Sequence, residues 1–100
     1  MAQSLDRKTL AQIAPKLAEL TEKVLFADIW MRPALSTRDR SLVTLAALTA
    51  LGRDQQLGWH ITFARQNGLT SEEITEIFTH LAFYAGWPAA VTALSCLDKE

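Results

Sequence analysis

Apolar residues along this chain recur at three- and four-residue steps, and no stretch sustains the two-residue alternation of a half-buried strand. The pattern predicts helices from end to end. Asp6 can cap the first, in which Leu10, Ile13, Leu17, Leu20 and Val24 form one stripe. Pro15 interrupts that stripe, because proline has no N–H to donate and its ring crowds the preceding turn. A break is expected near Ala14, with Pro15 restarting the helix at its first position. From Phe26 to Leu35 the pattern is irregular, and Pro33 disfavours helix at Arg32, so a connection is expected there.

Ser36-Thr37-Arg38-Asp39 reads as a capping box that opens the next helix. Between Leu42 and Leu51 that helix is apolar nearly all round, interrupted only by Thr44 and Thr49. Such a helix is expected to be central and covered on most sides. Gly52 supplies a left-handed stop. The following helix is expected from Asp54, as its N-cap, to Asn67, with Leu57, Ile61 and Ala64 inward and Gly68 ending it. At about 100° per residue, His60 falls roughly 60° from the line of Leu57, on the edge of the inward stripe. Trp59 and Phe63 fall on the opposite face, where water is expected. Thr70-Ser71-Glu72-Glu73 is a second capping box, followed by an inward stripe of Ile74, Ile77, Phe78, Leu81, Ala82 and Ala85 as far as Gly86. Glu73, His80 and Tyr84 lie along one border of it, and Phe83 lies opposite. Pro88 starts a last helix with Val91, Leu94 and Leu97 inward. The expected architecture is all-α, a compact bundle of five to six helices in one domain over residues 1–100.

Composition changes this picture in two places. At 49% hydrophobic residues, the chain has more apolar surface than one small core consumes, which points to self-association through Trp59, Phe63 and Phe83. The net charge of -1 gives no electrostatic case for nucleic acid or an anionic membrane. Cys96 is the only cysteine, so neither an internal disulfide nor a Cys-x-x-Cys pair exists, and it is expected to act as a small inert hydrophobe. No apolar run approaches the roughly 18 residues of a membrane span. Met1 to Lys8 carries no signal-like pattern, and a cytoplasmic setting is expected.

The candidate chemistry is sparse, and each residue has a plainer reading beside the functional one. His60 is a packed or surface histidine, or it lines a cleft. His80 has Glu76 one turn before it and Tyr84 one turn after it, which suits a structural hydrogen bond or a pocket wall equally. Arg40 pairs with Asp39 or another acid, or holds a ligand; Arg38 and Arg53 are expected to be solvated. Trp30 staples the proline-containing connection or belongs to a site. Two histidines without a neighbouring cysteine and paired carboxylate give only a weak metal-site signal.

Several runs, taken together, have a family look. Asp28-Ile29-Trp30-Met31-Arg32-Pro33-Ala34-Leu35 is followed by Arg38-Asp39-Arg40-Ser41-Leu42. His60, Ala64 and Gly68 then stand at four-residue steps, Glu72-Glu73-Ile74 follows, and Tyr84-Ala85-Gly86-Trp87-Pro88-Ala89-Ala90 comes near the end. Over roughly residues 15 to 97 the chain resembles the carboxymuconolactone decarboxylase family. The Trp30-Met31-Arg32-Pro33 and Tyr84 to Ala90 elements resemble its decarboxylase branch more than its alkylhydroperoxidase D-like branch. The resemblance implies a compact alkylhydroperoxidase D-like helical fold, a homo-oligomer that is commonly a hexamer or else a trimer, and no cofactor. The implied activity is decarboxylation of 4-carboxymuconolactone in the β-ketoadipate route of aromatic catabolism. The peroxidase branch carries Cys-x-x-Cys before a helical histidine. With that histidine in register with His60, its cysteines would fall on Arg53 and Gln56, so thiol peroxidase chemistry is disfavoured. A non-catalytic or differently specialised member of the family is the alternative.

The implied reaction makes definite demands. Loss of CO₂ needs an electron sink, which an unsaturated lactone supplies through its own carbonyl, so no cofactor is required. The protein must hold a small anionic lactone by its carboxylates, stabilise an enolate-like oxygen and return a proton to carbon. Arginine meets carboxylate bidentately, and Arg32, Arg38, Arg40 and Arg53 are available. Histidine titrates near neutrality. The expected assignment is His60 as proton donor or polariser and Arg40 as carboxylate clamp, with Trp30, Arg32, His80 and Tyr84 lining the pocket.

Overall fold

The computed structural model describes residues 6–97, and every regular element in that range is helical. Six α-helices occur in chain order: α1 (Arg7–Ile13), α2 (Pro15–Leu20), α3 (Thr37–Leu51), α4 (Asp54–Gln66), α5 (Ser71–Leu81) and α6 (Trp87–Leu97). The all-α expectation is borne out. The chain divides into two compact units, Met1–Thr37 and Arg38–Glu100.

In the N-terminal unit, the Asp6 side chain accepts from the Thr9 N–H at 2.7 Å and so caps α1. Ala14 leaves helical geometry at φ -137, ψ 73, and Pro15 stands at the start of α2. The break therefore falls where proline chemistry puts it. After α2 the chain widens into a π-helical turn, Thr21–Phe26, and then forms a short 3-10 turn, Ile29–Met31. The Arg7 guanidinium lies over the Phe26 ring, 4.4 Å from its centroid, and Phe26 stacks on Trp30 at 6.1 Å. Trp30 is buried, but the stripe of Ile13, Leu17, Leu20 and Val24 is exposed, Ile13 to 66%. The described chain thus leaves the residues of the predicted stripe uncovered.

The C-terminal unit holds the core. Leu45 of α3, Leu57, Ile61 and Ala64 of α4, Ile74 and Phe78 of α5 and Ala93 of α6 are buried together with Leu69. The inward face predicted for α4 is the observed one. Its start differs: Arg53 takes the N-cap place and Asp54 is the first helical residue, where its charge meets the positive end of the helix rather than capping it. Gly68, at φ 105, supplies the left-handed turn after α4. In α5 the capping box is complete, with Glu73 N–H donating to Thr70 Oγ1 at 3.0 Å and Thr70 N–H donating to Glu73 Oε1 at 2.9 Å.

Two sequence expectations need correction. The apolar stretch of α3 is not covered on most sides: its buried positions are Ser41, Leu45 and Thr49, one four-residue stripe, while Val43 and Leu51 are exposed. The two polar members of that stripe are satisfied. Ser41 Oγ accepts from Asn67 Nδ2 at 2.9 Å, and Thr49 Oγ1 donates to the Leu45 carbonyl at 2.8 Å. In α6 the buried residues are Ala90 and Ala93, with Leu94 and Leu97 packed against the core and Val91 exposed. Alanines let α6 pack closely, so its inward face runs through Ala90 and Ala93 rather than through Val91.

Candidate functional site

In the C-terminal unit, Arg38, Glu73, Glu76 and His80 share the lining of a cleft of about 380 Å³ between α3 and α5. Arg38, Leu42 and Ala46 face it from α3 at four-residue steps. Glu73, Glu76, Ile77, His80 and Leu81 face it from α5, and Leu69 lines it from the turn before α5. Helical periodicity produces both walls, since residues three and four apart share a face. Arg38 Nη2 donates to Glu73 Oε2, and Arg38 Nη1 lies 3.8 Å from Asp39 Oδ1. The Thr70 N–H, and then the charge of Arg38, hold the Glu73 carboxyl below its ordinary value. The expectation that Arg38 is solvated is therefore corrected: it is half-buried and joins α3 to α5. Its spacing with Leu42 and Ala46 was legible in the sequence; the second duty of Glu73 beyond its capping box was not.

The residues nominated from the sequence occupy several places. His80 is in the cleft wall and stacks on Tyr84, ring centroids 5.0 Å apart. Tyr84 itself is 79% exposed and lies outside the residues that line the cleft. His60 lies on α4, also outside that lining, half-buried beside Trp59 at 4.8 Å and Phe63 at 6.4 Å. Burial pushes its imidazole below the ordinary histidine value, so at neutral pH it is uncharged. A neutral imidazole donates through one ring nitrogen and accepts through the other, which suits polarising or relaying a proton more than acting as a standing cation. Arg40 stands in the first turns of α3, half-buried with its Nε enclosed, and its carbonyl accepts from Thr44 Oγ1 at 2.7 Å. Trp30 and Arg32 belong to the N-terminal unit, Trp30 buried and Arg32 exposed in extended backbone before Pro33. Among the described residues no group of three His, Cys, Asp or Glu is placed to hold a metal ion. Cys96 packs against the core, and its Sγ lies 3.6 Å from the Asp54 carbonyl.

These features define a small all-helical protein whose ionisable side chains stand on helix borders beside apolar walls. The chain belongs to the carboxymuconolactone decarboxylase family, whose sequence profile matches residues 15–99. It is 42% identical over 74 residues to the 4-carboxymuconolactone decarboxylase of Acinetobacter baylyi, covering 74% of this chain and 55% of that protein. It is 35% identical over 81 residues to a nitrosuccinic acid decarboxylase of Metarhizium robertsii, covering 81% of this chain and 57% of that protein. The chain thus spans a little over half the length of these curated relatives.

Proposed function

We propose that this chain is a carboxy-lyase that removes CO₂ from a small carboxylated lactone of the 4-carboxymuconolactone type, without a cofactor, in the catabolism of aromatic compounds. The observation that carries the reading is the 42% identity to a 4-carboxymuconolactone decarboxylase, together with family membership across residues 15–99. Both relatives named above are decarboxylases, although they act on different acids. Shared chemistry with a changed substrate is what a scaffold offering arginine and histidine on helix borders allows.

In this reading the lactone carbonyl takes up the electron pair left by departing CO₂. Arg40 holds a substrate carboxylate through its planar fork. His60, uncharged at rest, polarises the developing enolate-like oxygen or relays the proton back to carbon. His80 and Tyr84 are the proposed substrate contacts of the C-terminal unit, and Trp30 and Arg32 are the candidates that the N-terminal unit offers. The working form is a homo-oligomer, a hexamer in the first instance. The exposed Trp59 and Phe83, the latter to 84%, support that reading, as does the uncovered face of α3. Phe63, half-buried against Trp59 at 4.8 Å, extends the same patch. Among the described residues no helix is long and apolar enough to cross a membrane. The proposed setting is the cytoplasm, in keeping with a chain whose only cysteine forms no internal bridge.

The direct test is turnover of 4-carboxymuconolactone by the purified chain, followed through loss of substrate absorbance, for the native protein and for His60→Ala. The expected loss in kcat/KM is about 100-fold or more, the scale of a general acid–base contribution. Undiminished kcat/KM in a folded His60→Ala protein removes His60 from the mechanism.

A further inference from the structure

The cleft between α3 and α5 supports an inference that does not depend on the decarboxylase reading. Its walls are apolar except at a few points, and its guanidinium, Arg38, already holds a carboxylate, that of Glu73. Glu73 is anchored independently of Arg38, because its other oxygen accepts the Thr70 N–H at 2.9 Å. Arg38 reaches the cleft from the first turn of α3, half-buried, with Asp39 Oδ1 3.8 Å from its Nη1. Glu73 is thus held in position without Arg38. The Arg38 and Glu73 side chains retain 40% and 41% of their exposure, so water screens the contact and exchanging it costs little.

We propose that this cleft binds a small organic acid bearing one carboxylate on an apolar ring. Arg38 receives the ligand carboxylate, and Glu73 occupies Arg38 when the ligand is absent. The volume of about 380 Å³ is at the low end for small-molecule sites and suits a single ring. Leu42, Ala46 and Ile77 supply the apolar contact. Glu76, on the same α5 wall, places a further negative charge in the cleft and disfavours a second carboxylate. On exchange, Glu73 keeps its hydrogen bond from Thr70, so the start of α5 stays capped.

Benzoate is a suitable probe, titrated into the full chain by calorimetry and by amide chemical shifts. Glu73→Gln keeps an acceptor for the Thr70 N–H and removes the competing charge. It is expected to tighten benzoate binding about fivefold, the scale of a half-exposed ion pair. Arg38→Met is expected to weaken binding at least tenfold; should it fail to fold, Arg38→Lys, which keeps the charge and loses the fork, is expected to weaken binding about threefold. Benzamide should not bind, phthalate should bind more weakly than benzoate, and the shifts should cluster on α3 and α5. Benzoate binding that is unchanged or weaker in Glu73→Gln overturns the proposal. So does undiminished binding in a folded Arg38 variant, equal binding of benzamide or phthalate, or a cluster of shifts elsewhere. No turnover enters the assay, so a failure here leaves decarboxylation standing, and a failure of decarboxylation leaves this site standing.

Discussion

At the scale of single residues, His60 is the one whose surroundings change its chemistry most. Burial favours the neutral imidazole, and the unfolded chain returns it to an ordinary value near 6.5. The unfolded state therefore binds more protons as the pH falls. The His60 contribution to stability is complete above the ordinary histidine value and is lost as the pH drops through that value towards the folded one. Urea unfolding of the native chain should show a midpoint that falls between pH 8 and pH 5, and the fall should be smaller in His60→Gln. Equal falls in the two proteins would show that His60 is not held neutral by the fold. Periodicity placed His60 on a stripe edge, which is where it stands, half-buried. It did not show the Trp59 and Phe63 rings around the imidazole, because contacts between neighbours on a helix depend on side-chain rotamers. Arg38 departs from its expected solvated place for a related reason. A charged residue in the first turns of a helix is ordinarily solvated, and only the approach of α3 to α5 gives it a partner in Glu73, far along the chain.

At the scale of elements, the clearest match between sequence and structure is the first part of α5, although the helix ends at Leu81 rather than running on to Gly86. Its capping box names its first residue, and its inward stripe is buried at Ile74 and Phe78. Thr70→Ala removes the acceptor for the Glu73 N–H and should cost about 1 kcal/mol in urea unfolding. Phe78→Ala, at a fully buried position, should cost about 3–5 kcal/mol. A Thr70→Ala effect as large as that of Phe78→Ala would mean that the cap does more than end a helix. The pattern and the structure differ most over Leu42 to Leu51 of α3 and in α6, stretches that are apolar nearly all round. When every face is apolar, periodicity has no polar side to point away from, and alanine and serine faces are easily passed over for leucine and valine. In α3 the true inward face carries Ser41 and Thr49, whose hydroxyls are satisfied by Asn67 and by the Leu45 carbonyl. Those bonds connect α3 to the end of α4 and to its own preceding turn, and they are invisible until the fold is known.

At the scale of the whole molecule, the apolar content anticipated surface that one chain does not cover. Ile13 and Leu17 in the N-terminal unit and Val43, Leu51 and Phe83 in the C-terminal unit are exposed. Self-association is the economical outcome of so much uncovered apolar area. Sedimentation should give the mass of a hexamer for the native chain, and Phe83→Asp should shift the distribution towards smaller species. A monomer at micromolar concentration would remove the oligomer from the account. Fold class was legible because helical periodicity runs through most of the chain, whereas the site was legible only in part. The polar residues come from separate helices, so knowing each helix does not say which side chains converge: the cleft joins Arg38 to His80, while Arg40 and His60 lie outside its lining.

The central claim is cofactor-free decarboxylation by this chain. Its most direct test is CO₂ released from 4-carboxymuconolactone by the purified protein after exhaustive dialysis against a chelator. The account predicts one CO₂ for each lactone consumed, at a rate that scales with protein concentration and is undiminished by the dialysis. Folded protein that releases no CO₂ above the uncatalysed background would contradict it.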